Sequence, residues 1–138
     1  MYKLKKWIAL LLLVCGMMGL TGCTMLSEER VKLQDLGFTV LSEEVIPEEL
    51  KTIIDEKKAD PFKLTYSDDA YLYIVIGYGQ QNGGGYSIAV NELYLAEESV
   101  YVNTTLLGPE QKDTGSKVPS CPYIVLKTDF IDKPVVFE

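Results

Sequence analysis

The stretch Tyr71-Leu72-Tyr73-Ile74-Val75-Ile76-Gly77-Tyr78 constrains the fold more than any other part of this chain. Side chains alternate between the two faces of a β-strand. On that period Tyr71, Tyr73 and Val75 share one face, and Leu72, Ile74 and Ile76 share the other. A strand that is apolar on both faces belongs at the centre of a sheet covered on both sides. The rest of the chain therefore has to supply neighbouring strands and a covering layer on each face.

Strand patterns surround it. Phe38-Thr39-Val40-Leu41 is a short candidate, Ser42 to Val45 leads on toward Pro47, and Phe62 to Ser67 is a longer strand. Ser67-Asp68-Asp69 is a turn, and the central strand runs from Ala70 to Tyr78. A glycine-rich connection, Gly79 to Gly85, leads into Tyr86 to Ala96, with Ile88 and Val90 on one face. Glu97-Glu98-Ser99 turns the chain, and Val100 to Leu107 returns with Val100, Val102, Thr104 and Leu106 alternating, so this pair reads as a hairpin. Gly108 to Pro122 is a polar loop, of a length that tends to be functional or mobile. Tyr123 to Thr128 is a further strand, and Pro134 to Phe137 a short last one, where proline suits an edge.

One helix stands among these strands, from Pro47 or Glu48 to Lys58. Leu50, Ile53 and Ile54 form a narrow apolar stripe at helical spacing. Glu48 and Glu49 at its start and Lys57 and Lys58 at its end suit the helix dipole. Proline fits the first position because its missing N–H would have no partner there. The expected class is α+β: a mainly antiparallel β-sheet packed with one α-helix.

The N-terminal region follows different rules. Lys3, Lys5 and Lys6 precede an unbroken run of apolar and small residues from Trp7 to Leu20, and Thr21-Gly22-Cys23 follows. A basic start, a short apolar segment and a small-residue exit describe a secretory signal peptide. A bilayer-spanning helix needs about 20 apolar residues, and this run is shorter and turns polar at once. Leu20-Thr21-Gly22-Cys23 resembles the lipobox of bacterial lipoproteins. The resemblance implies cleavage after Gly22 and a diacylglyceryl thioether on Cys23. The expected layout is a signal peptide over 1–22, a lipidated cysteine and polar tether over 23–36, and an α+β domain over 37–138. Glu28 to Leu33 has weak helical character within the tether, and the folded part is expected to begin near Leu36-Gly37.

Composition narrows the chemistry. The leader holds three of the 13 basic residues and none of the 20 acidic ones, so ten basic residues face 20 acidic ones in the remainder. Such a domain is repelled by nucleic acid and by anionic headgroups, which argues against a nucleic-acid partner. No histidine occurs anywhere. That removes the commonest general base and metal ligand, and with them Ser-His-Asp, Cys-His and histidine-zinc sites. Once Cys15 leaves with the leader and Cys23 carries lipid, Cys121 alone remains, so no intrachain disulfide is expected. A reactive thiol needs a base or positive field, and only Lys117 is near Cys121 in sequence.

Asn82-Gly83-Gly84-Gly85 has three readings. An anion nest of the phosphate-loop kind requires a lysine and a helix after the glycines, whereas Tyr86 and a strand follow here. A tight turn needs glycine for its positive φ. Small residues also let a partner's backbone come close. Eight of the nine tyrosines lie between Tyr66 and Tyr123. Tyrosine favours strands and is also enriched at interfaces. Tyr78, Tyr86 and Tyr101, with Gly83, Gly84 and Gly85, are the candidate partner-binding residues. Glu43-Glu44, Glu48-Glu49, Asp68-Asp69 and Glu97-Glu98 invite a two-carboxylate hydrolase, but they sit at a helix start and turns, where solvated acid is ordinary. No calcium-loop motif is present, and no metal site, catalytic residue or cofactor is expected. Asn103-Thr104-Thr105 matches a glycosylation sequon, which the bacterial type of leader makes irrelevant.

The run Gly77-Tyr78-Gly79-Gln80-Gln81-Asn82-Gly83-Gly84-Gly85-Tyr86-Ser87-Ile88-Ala89-Val90 resembles the core signature of the PrcB-type protease-complex subunit family. Val100-Tyr101-Val102-Asn103-Thr104, Gly108-Pro109 and Pro122-Tyr123-Ile124-Val125 continue the likeness, which covers roughly residues 71–138 well and 38–70 more loosely. Asn82-Gly83 stands where the family commonly has threonine, and Cys121 where it has a hydroxyl residue. The resemblance implies a secreted or lipidated accessory protein without catalytic residues, the partner of an extracellular protease. The sequence thus leads to a lipid-anchored extracytoplasmic protein on the cell membrane, not an enzyme, that binds an extracellular protease or another envelope protein. An inhibitor using the Gly108–Pro122 loop is the alternative within binding proteins, and a carboxylate-based envelope hydrolase the alternative outside them.

Overall fold

A computed structural model describes residues 31–110 and 117–138. The leader, Cys23 and most of the tether lie outside the described residues, as does the middle of the Gly108–Pro122 loop. Eight strands follow in order: β1 Lys32–Asp35, β2 Thr39–Val40, β3 Pro61–Ser67, β4 Tyr71–Tyr78, β5 Ser87–Ala96, β6 Val100–Leu107, β7 Tyr123–Asp129 and β8 Val135–Phe137. A 3-10 turn at Glu43–Val45 and one helix, α1 Glu48–Lys57, stand between β2 and β3. The strands make two four-stranded sheets, ordered β1-β5-β6-β8 and β2-β7-β4-β3. All pairings are antiparallel except β6 with β8. Among the described residues the expected α+β class with one α-helix is what forms, and its strands divide between two sheets rather than one. Among the described residues, no helix is long and apolar enough to cross a membrane.

The two faces of β4 organise the interior. Leu72, Ile74 and Ile76 enter a core shared by both sheets, with Leu93, Val100, Val102, Ile124 and Leu126. Tyr73 and Val75 point the other way and meet Ile46, Leu50 and Ile54 below the helix, with Val125 of β7. Leu50, Ile54, Ile74 and Leu126 are wholly buried. Burying a side chain of that size stabilises by roughly 1.5–3 kcal/mol. The layers are therefore sheet, sheet and helix, and β4 is the central strand that its alternation demands.

Local chemistry fixes the joints. Thr52 donates its hydroxyl to the Glu48 carbonyl (3.0 Å), and Lys58 N–H closes α1 on the Ile54 carbonyl (2.8 Å). Asp68 Oδ1 accepts the Ala70 and Tyr71 N–H groups at 2.9 and 2.7 Å, turning β3 into β4. Those two bonds, first among several causes, hold the Asp68 carboxyl below its ordinary range. In the β5–β6 hairpin the register slips between Val90 and Glu92. Ile88 and Val90 before the slip, and Leu93 and Leu95 after it, therefore all reach the shared core. Asn91, the residue at the slip, donates to Asn103 Oδ1 (2.6 Å) and Thr105 Oγ1 (2.7 Å).

The start of the fold differs from expectation. Residues from Lys32 on pair with β5 as a strand, where helical character and a tether were expected. Local propensity is weak there, and the open edge of β5 offers a hydrogen-bond ladder that a lone helical turn cannot match. Leu36 N–H continues that attachment onto the Leu93 carbonyl at 3.0 Å. At the other end Pro134 stays just outside β8, and β8 is an edge strand as expected.

Candidate partner-binding cleft

The second sheet ends at β3 and the first at β8. Phe62, Leu64 and Tyr66 of β3 pair with Gly77, Val75 and Tyr73 on the helix side. Lys63, Thr65 and Ser67 pair with Ile76, Ile74 and Leu72, which puts them on the side facing the first sheet. All three are exposed. The first sheet stops at the short β8 and leaves this polar strip uncovered. The two edges run in opposite directions along an opening. At one end a groove of ≈ 530 Å³ lies between Pro61–Lys63 and Phe137–Glu138. At the other a groove of ≈ 360 Å³ lies between Thr65, Ser67 and the segment Phe130–Val135.

The floor of the larger groove is apolar, with Ile76, Val102 and Phe137, and has one polar tie. Tyr78 of β4 and Thr104 of β6 share a hydrogen bond of 2.7 Å between their hydroxyls, which joins the two sheets. Lys63 Nζ lies 5.8 Å from the centroid of the Phe137 ring. At the far end Lys133 Nζ donates to the Ala96 and Glu97 carbonyls (3.3 and 2.7 Å) and anchors the segment leading into β8. Phe62 lies across Gly77: a Cβ built there would stand 2.5 Å from Phe62 Cδ1. Gly77 is what lets the ring rest on the sheet at that point.

The backbone of β3 has a definite polarity. Tyr78 N–H donates to the Pro122 carbonyl and Phe130 N–H to the Ala70 carbonyl, so the even-numbered residues of β4 turn their amides toward β7. Ladder directions alternate along a strand, so the odd-numbered residues turn toward β3. The Asp68 N–H bond to the Tyr71 carbonyl has the same phase. Phe62, Leu64 and Tyr66 are thus bonded to β4, while the peptide groups of Lys63, Thr65 and Ser67 point away from the sheet. Those three N–H groups have no hydrogen-bond partner among the described residues.

The candidate residues from the sequence do not form one patch. Tyr78 is in the floor of the cleft. Gly83 and Gly85 have φ of 112° and 85° and supply the turn conformation, Gly83 being buried. Gly84, without positive φ, is half-buried in the same connection. A Cβ on Gly85 would come within 2.9 Å of Pro109 Cβ. The connection is fastened to the segment before β7: Gln81 and Ser120 exchange backbone bonds of 2.7 and 3.1 Å, and Ser120 Oγ donates to the Gly83 carbonyl at 2.5 Å. Tyr86 lines a separate shallow groove with Val40 and Tyr123. Tyr101 stacks on Tyr94 at 5.3 Å. Its cross-strand partner is that same Tyr94, on the face of the hairpin turned away from Leu93 and Val102. Sequence reasoning passed over Lys63, Thr65 and Ser67; their alternation with Phe62, Leu64 and Tyr66 was the available signal.

Besides Asp68, two of the paired acids have structural partners. Glu43 accepts from the Tyr123 hydroxyl at 3.2 Å, and Glu49 from the Tyr66 hydroxyl at 2.8 Å. Burial first, and then Glu43, push the Tyr123 phenol up to about 12. Cys121 is half-buried and forms no disulfide among the described residues. Among the described residues, no group of three His, Cys, Asp or Glu side chains is placed to hold a metal ion.

No curated protein and no solved structure matched the chain. A family match takes in the chain from Leu72 in β4 to Asp129 at the end of β7, which holds the two inner strands of each sheet. The cleft's rims, β3 and β8, lie outside it. That family is the one described as PrcB C-terminal, matched over residues 72–129.

Proposed function

We propose that this chain is a membrane-anchored extracytoplasmic lipoprotein whose domain is a non-catalytic accessory subunit, one that stabilises or assembles a secreted protease complex. The match of residues 72–129 to the PrcB C-terminal family carries the reading. The lipobox-like Leu20-Thr21-Gly22-Cys23 supports the location. One acyl chain binds a bilayer only reversibly, at about 0.8 kcal/mol per buried methylene, whereas two hold firmly. A diacylglyceryl group on Cys23 supplies two. The acidic domain is then repelled by anionic headgroups and stands off the surface, where a partner reaches it.

Crosslinking of the full lipidated chain in intact cells, with mass spectrometry of what it captures, tests the role. An extracellular protease is expected among the reproducible products, and no reproducible protein product would end the subunit reading. Cys23→Ser tests the anchor separately. It should leave an uncut or soluble product, and normal fractionation of that variant with the membrane would refute lipidation.

A further inference from the structure

The cleft identifies the class of partner by the groups it leaves unsatisfied. Along β3 the N–H and C=O groups of Lys63, Thr65 and Ser67 face outward, and Pro61 adds a carbonyl. Same-facing groups on a strand repeat at about 6.8 Å, a spacing that another extended backbone matches. Around this edge the two grooves leave room for side chains on the inter-sheet side. The geometry points to strand addition: an extended segment of a partner polypeptide pairs with the free edge of β3, antiparallel to it, and closes the opening toward β8. This rests on the reading of the chain as a binding subunit, and it adds the docking element and the form of what docks.

The side chains on β3 specify the segment further. Directly opposed residues in an antiparallel pair share a face. Segment residues opposite Lys63, Thr65 and Ser67 point into the opening, where a carboxylate meets Lys63 and hydroxyls meet Thr65 and Ser67. The residues between them lie beside the half-buried Phe62, Leu64 and Tyr66 and are apolar. The recognised pattern is apolar residues alternating with hydroxyl residues, with an acid opposite Lys63. A second copy of this chain fits less well. Each copy carries a formal net charge of −7, and β3 against β3 would offer Lys63 no carboxylate from the opposing strand.

Amide hydrogen exchange on the full chain reads this directly, with the acetylated and amidated heptapeptide Val-Thr-Val-Thr-Val-Glu-Val as probe. In the free protein the Lys63, Thr65 and Ser67 amides exchange fast, while those of Leu64 and Tyr66 are protected by β4. With peptide at ten times its dissociation constant, the first three should slow about tenfold, and Leu64 and Tyr66 should not change. Replacing the peptide's glutamate by lysine should weaken binding. Thr65→Pro deletes one outward N–H without touching the β4 ladder and should weaken binding at least tenfold, whereas Thr65→Ala keeps that N–H, loses only the hydroxyl contact and should weaken binding clearly less. Absence of protection at these amides, protection elsewhere, or full binding by a folded Thr65→Pro would overturn the proposal. Concentration-dependent protection of the same amides without peptide would assign the edge to a second copy and also overturn it. The exchange measurement needs no variant, so misfolding of Thr65→Pro leaves it decisive. A protease captured in cells by a chain that shows no protection would refute strand addition and leave the subunit role standing.

Discussion

Gly77→Ala tests the packing that shapes the larger groove. Gly77 lies inside β4, is buried, and pairs with Phe62 of β3. In an unobstructed strand, alanine for glycine should stabilise by about 0.5–1 kcal/mol, because the unfolded chain loses freedom. Here the new Cβ falls 2.5 Å from Phe62 Cδ1, closer still to Cε1, and 3.0 Å from Cζ. The whole edge of the ring is struck, so it has to swing off the sheet and give up contacts beside Leu64 and the helix. Overpacking of this kind costs about 1–3 kcal/mol. The net expectation is destabilisation by about 1–2 kcal/mol, or a fall in Tm of several degrees for a domain of this size. Urea unfolding of Gly77→Ala, Phe62→Ala and the double variant isolates the cause. In the Phe62→Ala background the three atoms nearest the new Cβ are gone, so Gly77→Ala should there be neutral or stabilising, with a coupling of about 1–3 kcal/mol. Equal destabilisation in both backgrounds, or stabilisation in the parent, would refute the account of the ring resting on glycine.

Two further outcomes follow from single contacts. Tyr78→Phe removes the bond to Thr104 that ties the sheets and should lower stability by about 0.5–1.5 kcal/mol in denaturant unfolding, with little change in m. For Tyr123 the folded phenol sits at about 12, above its ordinary value of 10.0. Its contribution is fully present below pH 10 and is lost as pH rises toward 12, because the unfolded state releases the proton first. Tyr66 and Tyr73 are raised as well, so ultraviolet titration should show several late tyrosines, of which Tyr123→Phe removes the component near 12, and Glu43→Gln should lower the Tyr123 pKa only partly because burial is the larger cause.

Much of the fold was legible because short-range rules decide it. The period of two from Tyr71 to Tyr78 required a covered central strand, and both cores form on its two faces. The Leu50, Ile53 and Ile54 stripe between acidic and basic ends gave a helix within a residue of its observed limits. The phase change at Asn91 was less accessible, since the same letters read as one continuous strand until β6 is set beside them. The strand at Lys32–Asp35 was illegible for the same reason: its stabilisation comes from an edge about 60 residues away. The tyrosines at 78, 86 and 101 are alike in composition and strand context, yet one is in the cleft, one lines a shallow groove and one stacks on Tyr94.

The sequence by itself determined every strand except β1, the helix, the turns at Asp68 and the glycines, and the exclusion of histidine chemistry. Each depends on neighbours within a few residues, where periodicity, φ preference and side-chain chemistry act directly. Tertiary structure alone decided that the strands divide into two sheets, and that β3 and β8 end those sheets on the same side. An edge is a property of pairing between distant segments, and so is an unsatisfied amide. Lys63, Thr65 and Ser67 look like an ordinary polar alternation in one dimension. They become a candidate docking edge only because no strand of the described fold is left to pair with them.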